Sequence, residues 1–136
     1  MSEKSFDPRL LGALDLAFVG DGVYSLLVRA MIARQGSRPV GEMHRLAVEV
    51  VNASAQAAAY DRIAEQLTEE EQGVYRRARN SGAHPPKNAN HADYAKATGL
   101  EALFGYLYLA GRRDRIEELF RACLAEPGET EEGGEA

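Results

Sequence analysis

The sequence predicts an all-α fold of about six or seven helices, and three observations support this. Apolar residues recur every three to four positions through most of the chain, which is the helical period. Residue types that favour helix ends separate these segments. No segment alternates apolar and polar residues as a half-buried strand does, and no internal repeat is present. With 136 residues, 45% of them apolar, the chain can form one domain with a substantial core.

The first half of the chain contains clear helix signals. The first helix is predicted to begin at Pro8, because proline suits a first helical turn, and to stop at Gly36. Pro39 begins the next segment with helical periodicity. Asn52 lies inside that segment and is a residue type that favours the helix N-cap. The sequence leaves open whether residues 39–67 form one helix or two.

The third region is marked by a capping motif. Thr68 and Glu71 have the spacing of a capping box, in which each side chain accepts a hydrogen bond from the backbone N–H of the other residue. A helix is therefore predicted from about Glu69 to about Arg79. Residues 81–90 are rich in proline and asparagine and are predicted to form a loop.

Two more helices and a tail complete the prediction. Residues 97–109 are apolar on nearly every face, and Gly111 breaks the helix that they form. An amphipathic helix follows and ends near Leu124. Residues 127–136 contain four glutamates and no basic residue, so we expect a disordered acidic tail after a single domain at 1–126. The tail supplies most of the net charge of −5, and the remainder is nearly neutral.

The composition also argues against several classes of protein. No stretch approaches the roughly 18 consecutive apolar residues of a membrane helix, and the first residues lack the order of a signal peptide. We therefore expect a cytoplasmic protein without a membrane partner. The single cysteine, Cys123, lies in an apolar helical pattern and is expected to be a buried, unreactive thiol. No Ser-His-Asp or Cys-His arrangement is visible.

Two isolated carboxylates are the most informative residues. If residues 10–28 form one helix, Asp21 shares a stripe with Leu14 and Tyr24, so we expect Asp21 to be buried. Glu101 is the only charged residue of the second apolar helix, and its burial is expected for the same reason. A buried carboxylate without a partner is costly. It requires protonation, a cationic partner or a bound metal ion.

Each carboxylate also has a purely structural explanation. Asp21 could cap a helix that begins at Val23, and Glu101 could pair with Arg29 or Arg79 after folding. Two such carboxylates together nevertheless fit a hard cation. Mg²⁺ takes oxygen ligands from few protein carboxylates and completes its coordination with water and substrate phosphate.

A basic segment forms the second informative feature. Residues 76–91 contain several cations and no acidic residue. Arginines at a helix end also complement the negative end of the helix dipole, so an isolated cluster has a structural explanation as well. The adjacent prolines and asparagines favour a loop that contacts phosphate. The residues that we assign to this contact are Arg76, Arg77, Arg79, Lys87 and Asn88.

Three parts of the sequence closely resemble a known family. These are residues 16–24, residues 77–80 together with 86–88, and residues 100–109. In order and spacing they resemble Mini-ribonuclease III, the small bacterial branch of the ribonuclease III superfamily. The resemblance runs from about residue 10 to about residue 124. It implies the all-helical ribonuclease III-type endonuclease domain, without a double-stranded-RNA-binding domain.

The resemblance also implies a function. Members of this branch act as homodimers and cleave double-stranded RNA with Mg²⁺, leaving 5'-phosphate and 3'-hydroxyl ends, and they mature the 23S ribosomal RNA precursor. By resemblance, Asp21 and Glu101 are the catalytic and metal-binding residues, and the basic segment binds RNA. Full-length enzymes have further carboxylates where this chain has Leu14, Ala17 and Thr98. The number of bound ions therefore stays open.

The predicted apolar helix of residues 97–109 also indicates how the protein assembles. We expect a face of it to be shared with a second subunit, because one small domain cannot easily cover a helix that is apolar all round. The alternative is that it is the central helix of a monomer. The residues of the predicted face are Phe104, Tyr106, Leu107 and Tyr108.

Two rival functions remain open. A non-catalytic RNA-binding protein on the same fold would keep the basic segment without needing both Asp21 and Glu101. An all-α nucleotide pyrophosphohydrolase would also use carboxylates and Mg²⁺, but such sites usually contain Glu-x-x-Glu pairs. Glu69–Glu71 lacks that spacing and is better explained as part of a helix cap.

Overall fold

The computed structural model describes residues 6–125, and within that range the fold consists of six α-helices and no strand. The all-α prediction is therefore confirmed, while the tail predicted at 127–136 lies outside the described residues. Short 3₁₀ turns occupy Pro8–Leu10 and Ala64–Gln66. The helices are α1 (Ala13–Arg34), α2 (Val40–Val50), α3 (Ala53–Ile63), α4 (Glu69–Arg79), α5 (His91–Leu109) and α6 (Arg113–Cys123).

Local signals in the first half place most of the helix ends. Helix α1 begins at Ala13 rather than at Pro8, which instead begins a separate 3₁₀ turn. Gly36 follows the end of α1 with φ of 131°, a left-handed conformation that favours glycine. Residues 39–67 form two α-helices. The second begins where the Asn52 Oδ1 accepts a hydrogen bond from the Ala55 N–H at 2.8 Å.

The predicted capping box at the start of α4 is confirmed. The Thr68 N–H donates to the Glu71 carboxylate at 3.0 Å, and the Glu71 N–H donates to the Thr68 hydroxyl at 3.1 Å. Glu71 is also buried and accepts two hydrogen bonds from the Arg115 guanidinium, at 2.8 and 2.9 Å. This ion pair joins α4 to α6 across 44 residues of sequence.

Helix α5 is the central helix, and α1, α3, α4 and α6 pack around it. Phe104, Tyr106 and Leu107 are consequently buried within one subunit, and only Tyr108 of the predicted shared face is exposed. The prediction of a subunit interface on these three residues was wrong. Neighbouring helices of the same chain cover them.

Helices α1 and α5 approach each other closely. A methyl group built on Gly20 would lie 1.5 Å from the backbone oxygen of Glu101, and one built on Gly105 would lie 2.0 Å from that of Leu16. Only glycine fits at these two positions, so the two backbones meet directly. This crossing places Asp21, the residue after Gly20, beside Glu101.

Helix α1 is long and apolar enough to span a membrane by length and composition alone. Its buried face nevertheless packs in the protein core, where Leu16, Tyr24 and Val28 are almost fully covered. Core helices of globular domains share this composition. Its contacts with α5 identify α1 as such a core helix. Cys123 is also fully buried, as predicted, and burial raises the pKa of its thiol to about 12.

Candidate active site

Asp21 lies in the middle of α1 with its side chain exposed. Its predicted burial was wrong, because only part of the stripe is covered: Tyr24 is buried, whereas Asp21 lies at the edge of the covered face on the side of Leu14. Leu14 itself is 47% exposed. Helix α1 is continuous from Ala13 to Arg34, so Asp21 does not cap a helix that begins at Val23.

Glu101 lies on α5 at the α1–α5 crossing and is only partly exposed. Its Oε2 accepts a hydrogen bond from the Gln56 amide nitrogen of α3 at 3.3 Å. In the described part of the chain, no lysine or arginine forms an ion pair with Glu101. Arg79 is one of the two suggested partners, but its guanidinium carbon instead lies 5.7 Å from the centroid of the Tyr75 ring.

The electrostatic state of Glu101 reflects both its burial and its neighbour. Burial, the larger cause, and the charge of Asp21 raise the pKa of Glu101 to about 7, whereas the Gln56 hydrogen bond acts in the opposite direction. Asp21 and Glu101 are therefore neighbours whose charges oppose each other when both carboxyl groups are ionised. The site therefore contains negative charge that no cation among residues 6–125 neutralises through an ion pair.

This pair of carboxylates fits a hard divalent cation. Both donors are oxygens, they come from two helices in direct contact, and one of them, Asp21, is exposed to solvent. Within residues 6–125, no group of three or more histidine, cysteine, aspartate or glutamate side chains is arranged to hold a metal ion. Asp21 and Glu101 alone could be the protein ligands, which leaves coordination positions for water and phosphate.

The predicted basic segment is exposed at the end of α4 and in the loop that follows. None of its cations forms an ion pair with another described residue. Arg76 and Arg77 line an open groove of about 620 Å³ together with Arg9, and Gly73 forms part of its wall. The other residues assigned to RNA contact, Arg79, Lys87 and Asn88, are exposed as well.

Two residues near these features were not found by sequence reasoning. Arg9 reaches the groove from the N-terminal 3₁₀ turn, which is far from α4 in sequence. Gln56 contacts Glu101 across 45 positions. One signal could have identified Gln56, because it is the only amide in the alanine-rich run of residues 53–59.

Comparison with known proteins agrees with the fold. The family model described as "Ribonuclease III domain" matches residues 14–112. The Mini-ribonuclease 3 of Symbiobacterium thermophilum is 45% identical over 118 residues, which cover 86% of this chain and 91% of the relative. The Mini-ribonuclease 3 of Enterococcus faecalis is 40% identical over 129 residues, which cover 93% of this chain and 98% of the relative.

A solved structure is similar as well. The crystal structure of protein FN1578 from Fusobacterium nucleatum has a TM-score of 0.79 and 30% sequence identity, and the match covers 88% of this chain and 98% of that one. The fold and these relatives define an endoribonuclease. The chain belongs to the ribonuclease III family, and its resemblance to Mini-ribonuclease III is confirmed.

Proposed function

We propose that this protein is a magnesium-dependent endoribonuclease that cleaves double-stranded RNA through a single catalytic domain at residues 1–126. Asp21 and Glu101 are its catalytic and metal-binding residues. One observation carries the assignment of the site. The α1–α5 crossing brings together two carboxylates, and no cation of the described chain neutralises them.

The chemistry follows from the charge of the substrate. An RNA phosphodiester is anionic and resists attack by hydroxide. When Mg²⁺ is bound, it neutralises phosphate charge, lowers the pKa of a coordinated water and stabilises the leaving 3' oxygen. Asp21 is exposed and can face the phosphate, while the Glu101 carboxylate accepts a hydrogen bond from the Gln56 amide of α3. Hydrolysis then leaves 5'-phosphate and 3'-hydroxyl ends.

The basic segment supplies the RNA-binding surface. Arginine and lysine bind phosphates in contacts that carry no sequence information, and asparagine donates to phosphate and sugar oxygens. A-form RNA is recognised mainly by its shape, its phosphates and its 2'-hydroxyl groups. We assign this binding to Arg76, Arg77, Arg79, Lys87 and Asn88, all of them exposed.

We further propose a two-fold homodimer, through a different surface from the one that the sequence predicted. Leu14 and Phe18 lie one turn apart on the same exposed face of α1 as Asp21, and Phe18 is 83% exposed. An apolar surface of this kind favours association with a second subunit. A two-fold dimer presents one site to each of the two antiparallel RNA strands.

The resemblance to Mini-ribonuclease III, which covers most of the chain, supports a physiological role. We propose the 23S ribosomal RNA precursor as the substrate and the cytoplasm as the location. Sequencing of RNA ends in cells that lack the protein tests this role. Unprocessed 23S ends should accumulate, and normal ends would contradict the assignment.

Incubation with Mg²⁺ and four substrates tests the reaction itself. The substrates are a long RNA duplex, one of its single strands, the matching DNA duplex and a nucleoside triphosphate. Only the RNA duplex should be cleaved, with 5'-phosphate ends. Binding of the duplex without cleavage would identify the non-catalytic alternative, and hydrolysis of the triphosphate would identify the pyrophosphohydrolase.

A further inference from the structure

Gln56 is one of three buried polar or charged residues among residues 6–125. The other two are explained by local structure. Glu71 belongs to the capping box and pairs with Arg115. The hydroxyl of Thr98 donates to the carbonyl oxygen of Tyr94, one helical turn earlier. Gln56 alone directs its hydrogen bond to a residue of the proposed active site.

The surroundings of Gln56 do not by themselves explain why an amide is present at this position. It lies on α3 among alanines, is 3% exposed, and donates its amide N–H to the Glu101 Oε2. Burial of an amide costs free energy unless it is hydrogen-bonded. An alanine or leucine would suit a helix face of this kind better if packing were its only role.

The choice of an amide has a chemical reason. An arginine or lysine at this position would fix the Glu101 carboxylate, but it would also neutralise the carboxylate and compete with a bound cation. An apolar side chain would leave Glu101 without a donor and free to change rotamer. A neutral donor fixes the carboxylate and preserves its negative charge.

We propose that Gln56 is a positioning residue of the active site, which holds the Glu101 carboxylate toward Asp21 so that both can bind one divalent cation without rearrangement. This inference rests on the proposed function. Substitution of a residue that orients a metal ligand usually lowers metal affinity or activity by about 10- to 100-fold. The effect here acts on cation binding and on the chemical step, since the Gln56 side chain is buried and is not one of the residues assigned to RNA binding.

The test compares the parent with Gln56→Met, which keeps the side-chain length and removes the donor. The matched control is Gln72→Met, because Gln72 is a partly buried glutamine on α4 whose amide donates to the Ala64 carbonyl at 2.8 Å instead. Calorimetry with Mn²⁺ in the absence of RNA measures cation affinity. Cleavage kinetics then give kcat and KM for duplex RNA separately.

We expect Gln56→Met to weaken Mn²⁺ binding and to lower kcat, each by about 10- to 100-fold, with KM for RNA within about twofold of the parent. The control should match the parent in both measurements. Parental Mn²⁺ affinity and kcat in a folded Gln56→Met protein would overturn the proposal. If Gln56→Met does not fold, Gln56→Asn, whose amide is one methylene too short to reach Glu101, decides by the same criteria.

Cleavage assays on the parent and on Asp21→Asn distinguish a failure of this proposal from a failure of the proposed function. If the parent cleaves duplex RNA and Asp21→Asn does not, the function stands whatever Gln56→Met does. A parent that shows no Mg²⁺-dependent cleavage refutes the function, and with it the role of Gln56.

Discussion

Replacement of Glu101 by glutamine should stabilise the metal-free protein at pH 8 and have little effect at pH 5. The pKa of Glu101 is raised from 4.5 to about 7 in the fold, by burial and by the charge of Asp21. Between these values the folded state binds more protons than the unfolded state. The stability of the parent therefore falls as the pH rises through this window, and glutamine removes that dependence.

The size of the effect follows from the same shift. A pKa difference of one corresponds to about 1.4 kcal/mol. Ionisation of Glu101 thus costs the folded state at most about 3 kcal/mol at pH 8 and less than about 1 kcal/mol at pH 5. Relaxation of the pair and partial contact with water reduce this cost, so we expect a gain of about 1 to 2 kcal/mol at pH 8.

Urea denaturation in the presence of a chelator measures this gain at both pH values. Glu65→Gln is the matched control, since Glu65 is exposed on the 3₁₀ turn after α3, and its effect should stay within about 0.5 kcal/mol. A Glu101→Gln protein that is less stable than the parent at pH 8 would refute the reasoning. A gain of equal size at both pH values would refute it as well.

Three further predictions concern the RNA surface, the helix crossing and the dimer. Arg77→Ala with Arg79→Ala should weaken duplex binding at low salt and reduce the slope of log affinity against log salt by about 1 to 2. Gly20→Ala should cost about 3 kcal/mol or more in thermal melting, because its methyl group would overlap the Glu101 backbone. Gly22→Ala meets no atom within 4 Å and should gain up to about 1 kcal/mol. Phe18→Glu should convert the dimer to a monomer in sedimentation.

Each of these expectations has an outcome that contradicts it. An unchanged salt slope in the double arginine variant would show that Arg77 and Arg79 of α4 do not contact RNA phosphates. Equal melting temperatures for Gly20→Ala and Gly22→Ala would show that the two helices do not touch at Gly20. A parent that sediments as a monomer, or a Phe18→Glu protein that remains dimeric, would exclude the exposed face of α1 as the interface.

Local sequence signals were sufficient for most of the helices. The capping box at Thr68, the N-cap at Asn52 and the stop at Gly36 depend on residues within one or two turns, and all three are confirmed. Residues that meet across long stretches of sequence were not predictable in this way. The Gln56–Glu101 hydrogen bond is an example, since no local pattern specifies which helices pack together.

The errors concern which face of a helix is covered. Periodicity placed Asp21 on one apolar stripe with Leu14 and Tyr24, but it does not say where the covered face of the helix ends. In the fold Tyr24 is buried, whereas Leu14 and Asp21 are exposed. Helix α5 was predicted to share Phe104 with another subunit, whereas helices of the same chain surround it. Both errors arise because the arrangement of helices, rather than composition, decides burial.

Cleavage of a long RNA duplex by Asp21→Asn, in Mg²⁺ and with folding checked by thermal melting, tests the central claim most directly. The matched control is Asp15→Asn, because Asp15 is also an exposed aspartate of α1. Loss of a metal ligand should remove several kcal/mol of transition-state stabilisation, which corresponds to about a thousandfold in rate. We expect Asp21→Asn to be folded, to bind RNA and to lose cleavage by about this factor, while Asp15→Asn cleaves at the parental rate. A folded Asp21→Asn protein that cleaves at the parental rate, or one that is inactive only because it has unfolded, would contradict the assignment of Asp21 and Glu101 as the catalytic pair.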